Sequence, residues 1–248
     1  MILQERLVVL AVVFTMALGL SLTLTAGVLL PYGLALGVLA SVAVPYLLHN
    51  LPDYRFSVLQ IILPAAIAVA APSAAHSLAA GLVQLLGVFG PGALLYGVIL
   101  AEATLLRGAD ERAEATAQLV LSLSTYAVAL AIFLLLYQLK ERALISAPAA
   151  GAAALALCLR LLALDRKLDM QAGVCAFVAG LGVAEVLWPL NYWILGTLGG
   201  GLALLLAFYV AVGVVRQVLA GPFTQALALE WGGVSLAGLA VVYGASRL

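Results

Sequence analysis

The sequence predicts an all-α bundle of about eight to nine membrane-spanning helices, with its N-terminus on the cytoplasmic side. Two observations carry this. Of 248 residues, 66% are hydrophobic and only 9% charged, and the mean hydropathy is +1.21, whereas a soluble domain carries about a quarter charged residues. The charges also gather into short runs, and the stretches between them reach the roughly 20 residues needed to cross about 30 Å of hydrocarbon. The expectation is a single integral-membrane domain over residues 1–248, multi-pass in a bacterial inner membrane.

Residues 1–6 form a polar head before an uncharged run over 7–48. That run is about twice one crossing and reads as two spans, with the turn between Gly27 and Pro31, where a residue lacking an N–H is best tolerated. Its apolar length exceeds the roughly 7 to 15 residues of a signal-peptide h-region, so the head is expected to stay attached. Residues 49–55 are the first polar loop, and a third span runs over 56–71 until Pro72 and Ser73 stop it. In 74–106 the triplet Gly90-Pro91-Gly92 allows either an interfacial or re-entrant helix followed by a short span from about Gly92, or one kinked helix, and the first is favoured because two glycines flanking a proline disfavour a continuous helix. Residues 107–114 (RGADERAE) carry the densest charge and read as a solvated loop.

Spans over 115–138, 143–164, 171–187 and 192–215 follow. In the first of these Gln118, Ser122 and Thr125 share a face, which is expected to hydrogen-bond to a neighbouring helix. Arg160 lies near the end of its span, from where a long side chain snorkels to the surface. The terminal segment, 221–243, fits two registers, one with Glu230 immersed and one with Glu230-Trp231 at the interface. Orientation follows from the cations. An N-in arrangement places Arg6, Arg55, Arg107, Arg112, Arg160, Arg166, Lys167 and Arg216 inside, and only Lys140, Arg142 and Arg247 outside, as the positive-inside rule requires.

Composition also excludes partners. Formal net charge is zero, which argues against nucleic acid and against a strongly basic lipid-binding patch. Cys158 and Cys175 form no CxxC and read as small buried apolar residues. His49 and His76 are expected on opposite surfaces, so they do not ligate one haem. Both lysines fall in loops, which leaves none for a retinal Schiff base. No metal-ligand, phosphate-loop or nucleophile-elbow motif occurs, so no catalytic residue, metal or cofactor is assigned. The partners expected are the lipid bilayer and other membrane helices, including a second copy of the chain.

The candidate site residues are those that cost most to immerse. A carboxylate at mid-bilayer costs about 2.5 to 3.5 kcal/mol unless paired or hydrated, and Glu102, Glu185 and Glu230 qualify. Glu102 is expected to reach the cytoplasmic surface from a helix end. Glu185 is placed just below the outer surface, where Arg142 can clamp it, and Asn191 and Tyr192 complete an outer vestibule. Helix packing is assigned to Gly33 and Gly37, a GxxxG pair, and to Gly196 and Gly200, one helical turn apart. Asp165 and Asp169 form a DxxxD that resembles a Mg²⁺-diphosphate site, but beside Arg166 and Lys167 it reads as a solvated loop.

Trp188-Pro189-Leu190-Asn191-Tyr192-Trp193, then Gly199-Gly200-Gly201 and Phe208-Tyr209, with Glu185 upstream, resemble a family of uncharacterised bacterial multi-spanning membrane proteins, a domain of unknown function. The likeness lies mainly over 142–230 and implies the membrane class without an activity, ligand or catalytic residue. The favoured expectation is a packing or assembly subunit, a helical scaffold whose glycine-lined faces bind other helices or lipid. The alternative is a transporter of a small, mostly apolar solute, and a lipid-diphosphate enzyme is a distant third.

Overall fold

A computed structural model describes residues 2–24, 26–49, 57–77, 82–108, 110–139, 143–165, 168–193 and 195–221, with parts of 232–244. Among them every regular element is helical: α1 (Ile2–Ser21), α2 (Ala26–Leu48), α3 (Leu59–Ser77), α4 (Leu82–Leu106), α5 (Glu111–Leu139), α6 (Ala143–Asp165), α7 (Met170–Leu190) and α8 (Thr197–Ala220). Short helical pieces lie within 232–244. Among the described residues six helical stretches are long and apolar enough to cross a membrane: Val28–Leu48, Gly87–Leu106, Glu111–Gln138, Ile145–Asp165, Met170–Leu190 and Thr197–Ala220.

The helices group into two compact units, Met1–Val128 and Ala129–Leu248, with the division inside α5. In the first unit α2 and α3 make the most extensive pairing, and α4 packs on both α1 and α3. The Tyr32 hydroxyl donates to Ala17 O across 2.8 Å, which ties α2 to α1. In the second unit α6 and α7 make the most extensive pairing, and α8 packs on α7.

Prolines depart furthest from expectation. Pro31 does not mark the first turn, because the chain turns at 22–24 through short i→i+3 bonds and α2 begins at Ala26. Pro72 does not stop α3, which continues to Ser77. Most clearly, α4 runs unbroken through Gly90-Pro91-Gly92, in place of the expected interfacial helix and separate span. A proline costs its helix one N–H bond and a steric adjustment. Ending the helix would leave several more N–H and C=O groups unpaired, and apolar surroundings offer no water to satisfy them.

Helix ends obey local chemistry instead. Gly108, at φ 59, takes the left-handed conformation just after α4 that a side chain resists. Glu111 and Glu114 sit in the first turn of α5, where negative charge favours the helix dipole. Asp169 caps α7 by accepting from Ala172 N at 2.8 Å. Thr125, expected to bond a neighbouring helix, is buried and donates to Leu121 O of its own helix at 2.7 Å, while Gln118 is exposed.

Candidate functional site

The α7–α8 turn is the best-fixed polar feature of the second unit. Asn191 N–H reaches Leu187 O at 3.1 Å, Tyr192 N–H reaches Pro189 O at 3.0 Å, and Trp193 N–H reaches Leu190 O at 3.2 Å. The turn thus unwinds α7 in steps rather than breaking it. Tyr137, near the end of α5 and only 2% exposed, holds it from below. Its hydroxyl lies 3.1 Å from Leu190 O and 3.4 Å from Leu195 O, so one donor serves carbonyls on both sides of the turn. Asn191 Nδ2 adds a long contact of 3.4 Å to Ser146 Oγ on α6. Around this polar knot Trp188, Tyr192 and Trp193 are exposed, the disposition of aromatic rings that favour a water–hydrocarbon boundary.

A Tyr137→Phe change keeps the packing and removes both contacts. It is expected to cost about 1 kcal/mol, the usual net worth of a hydrogen bond, read as a lower unfolding midpoint by tryptophan emission. An unchanged midpoint would mean that the hydroxyl does not hold the turn.

Glycines set the helix separations. A Cβ at Gly200 would run into the Tyr137 ring, and one at Gly201 would lie 2.5 Å from Leu134 Cδ2, so α8 approaches α5 only because both positions lack side chains. Gly196, expected to pair with Gly200 in one groove, is instead the N-cap residue of α8, and a Cβ there would meet nothing within 4 Å. In the first unit Gly33 and Gly37 both face α3. A Cβ at Gly33 would stand 2.6 Å from Val69 O, and one at Gly37 would stand 2.8 Å from Val69 Cγ2.

Of the three candidate carboxylates two are described, one in each unit. Glu102, expected to reach the surface from a helix end, is buried at 5% exposure in α4 of the first unit. Glu185 is exposed on α7 of the second. Glu230 and Arg142 lie outside the described residues, and so does the Glu185–Arg142 clamp. Arg160 does not snorkel: it is buried at 4% exposure in α6. Asp165 pairs instead with Arg216, with Oδ2 and Nε 2.8 Å apart, which joins the ends of α6 and α8. Cys158 is buried and Cys175 half-buried. No cluster of His, Cys, Asp and Glu suited to a metal occurs among the described residues.

Two grooves are apolar. A groove of about 830 Å³ between α1 and α4 is walled by residues such as Val12, Met16, Leu85 and Phe89, with Thr15, Gln84 and Tyr96 as its polar members. A second, of about 680 Å³, lies between α7, α8 and the C-terminal helical pieces, with Val186, Leu206 and Val242 in its wall.

Sequence reasoning passed over Tyr137, Gly151, Gly180 and Gly201. Gly151 and Gly180 face each other where α6 and α7 pack closely: a Cβ at Gly151 would lie 3.1 Å from Gly180 O, and one at Gly180 would lie 2.7 Å from Gly151 O. A signal existed: Ala147 precedes Gly151 by four residues, and Ala176 precedes Gly180 likewise, a small-xxx-small pattern.

Residues 7–244 match the family model described as protein of unknown function (DUF5656). The chain belongs to DUF5656. The match covers both compact units, so DUF5656 describes all eight helices rather than one of the two units. Neither the curated proteins nor the solved structures contain a match to this DUF5656 chain.

Proposed function

We propose that the chain is a multi-pass protein of a bacterial inner membrane, with about eight to nine spans and its N-terminus in the cytoplasm, acting as a helical packing or assembly subunit. One observation carries the functional part: hydroxyls within the helices are satisfied by their own backbone, while broad apolar faces stand exposed. Hydroxyls of Thr15, Ser21, Ser41, Thr104 and Thr125 bond carbonyls of their own helices. Val38, Leu39 and Val42 on α2, and Phe177 and Val178 on α7, stand exposed. Lipid tails or other membrane helices suit such faces, and a water-filled pathway does not.

Purification in a mild detergent, followed by native mass spectrometry, tests this. A second copy, a defined protein or retained lipid is expected with the chain. A monomer that sheds everything yet moves a small apolar solute across proteoliposomes would support the second reading, a transporter, which the groove between α1 and α4 favours by its ligand-like size. The span count has its own readout. Single cysteines at Val58, Asp110 and Leu168 are expected to label from the cytoplasmic side, and those at Thr23 and Tyr192 from the other. Labelling of Thr23 and Val58 from one side would remove a crossing by α2.

A further inference from the structure

We infer that the chain is a tandem duplication, with α1–α4 and the C-terminal part of α5 through α8 as two copies of one four-helix unit. The inference goes beyond the proposed function and does not depend on it. Begin with α2 and α6, which are both 23 residues long. Each carries an internal proline at the same place, Pro31 in one and Pro148 in the other. With these two aligned, buried Leu29, Gly33, Gly37, Ala40 and Val44 fall on Ser146, Ala150, Ala154, Leu157 and Leu161, all buried. For α3 and α7, aligning Gln60 with Ala172 sets Pro64, Ile67, Ala68, Ala71 and Ala75 on Ala176, Ala179, Gly180, Val183 and Leu187, again all buried.

Any two one-sided helices can be slid into phase, so burial alone decides little. Contacts between helices decide more, because they were not used to set the alignment. In the first unit α2 comes close to α3 where Gly33 faces the backbone of Val69; in the second, α6 comes close to α7 where Gly151 faces Gly180. Under the two alignments Gly151 corresponds to Leu34 and Gly180 to Ala68, so the crossing points agree to one residue on each helix. For the remaining pair the contact sets the alignment and burial tests it. Gly92 of α4 lies against Thr15 of α1, and Gly201 of α8 lies against Leu134 of α5. Setting Gly92 on Gly201 and Thr15 on Leu134 places buried Leu95, Ile99 and Ala103 on Leu204, Phe208 and Val212, and buried Phe14 on buried Phe133.

Glu102 corresponds to Ala211 and Arg160 to Ala43, so each buried charge stands in one copy where the other has alanine.

Distances measured by paired spin labels in the detergent-solubilised full chain test the duplication, with Cys158 and Cys175 first replaced by alanine. The label pair Val58/Leu100 has Met170/Tyr209 as its counterpart, and all four positions are exposed. A second comparison sets Met16/Phe89 against Leu135/Leu198. Equal mean distances within each comparison, to within the reach of the labels, are expected. Clearly unequal distances in either comparison would overturn the duplication. These distances hold whichever helices cross a bilayer, so their failure is separate from failure of the membrane assignment.

Discussion

Replacing Gly180 with leucine is expected to lower the stability of the detergent-solubilised chain by at least about 1 to 3 kcal/mol, the usual cost of overpacking a filled contact. The upper end applies here because the obstacle is backbone. A Cβ at Gly180 would lie 2.7 Å from Gly151 O and 3.3 Å from Leu155 N, and neither atom can rotate away. The α6–α7 pair must therefore separate, and it is the most extensive pairing in its unit. Gly182, on the same helix two residues later, is exposed with open space at its Cβ position. Gly182→Leu thus isolates glycine's own effect on the helix and is expected to leave stability unchanged or raise it by up to about 1 kcal/mol. Thermal unfolding of the two variants side by side reads the difference. Equal midpoints would show that α6 and α7 do not meet through Gly180.

The second large effect separates two glycines that the sequence treats as one motif. At Gly33 an added methyl meets the Val69 carbonyl at 2.6 Å, whereas at Gly37 it meets a Val69 methyl at 2.8 Å, the end of a side chain. A side chain can swing about 30° off its rotamer for about 0.5 to 1.5 kcal/mol, while a helix carbonyl moves only with its helix. Gly33→Ala is therefore expected to lose about 1 to 3 kcal/mol and Gly37→Ala clearly less, with part of the loss offset by alanine's better helix propensity of about 1 kcal/mol. The order of the two unfolding midpoints checks this, and the reverse order would place the closest contact at Gly37.

How much of this could be read from the chain depends on the kind of feature. Helical class and most helix positions are legible because apolar runs between charges leave little freedom: the sequence places a span over 143–164, and α6 occupies Ala143–Asp165. Helix breaks are not legible, because proline and glycine are helix breakers on a scale set in water. Pro72 and Gly90-Pro91-Gly92 sit in surroundings where unpaired backbone costs more than an imperfect helix. Gly33 and Gly37 announce themselves by spacing; Gly151 and Gly180 carry only the weaker small-xxx-small signal with Ala147 and Ala176, and their partnership spans two helices. Arg160 misleads for a related reason. Its place near a helix end fits snorkelling, and only tertiary packing shows that the end is covered.

The central claim is that the exposed apolar faces look onto hydrocarbon. Nitroxides at Leu39 on α2 and Phe177 on α7, exposed at 64% and 54%, measure it directly in the chain reconstituted into lipid. Relaxation by molecular oxygen, which partitions into acyl chains, is expected to be strong at both positions, and relaxation by a water-soluble nickel chelate weak. Ready access of the chelate and poor access of oxygen at these two positions would contradict the account.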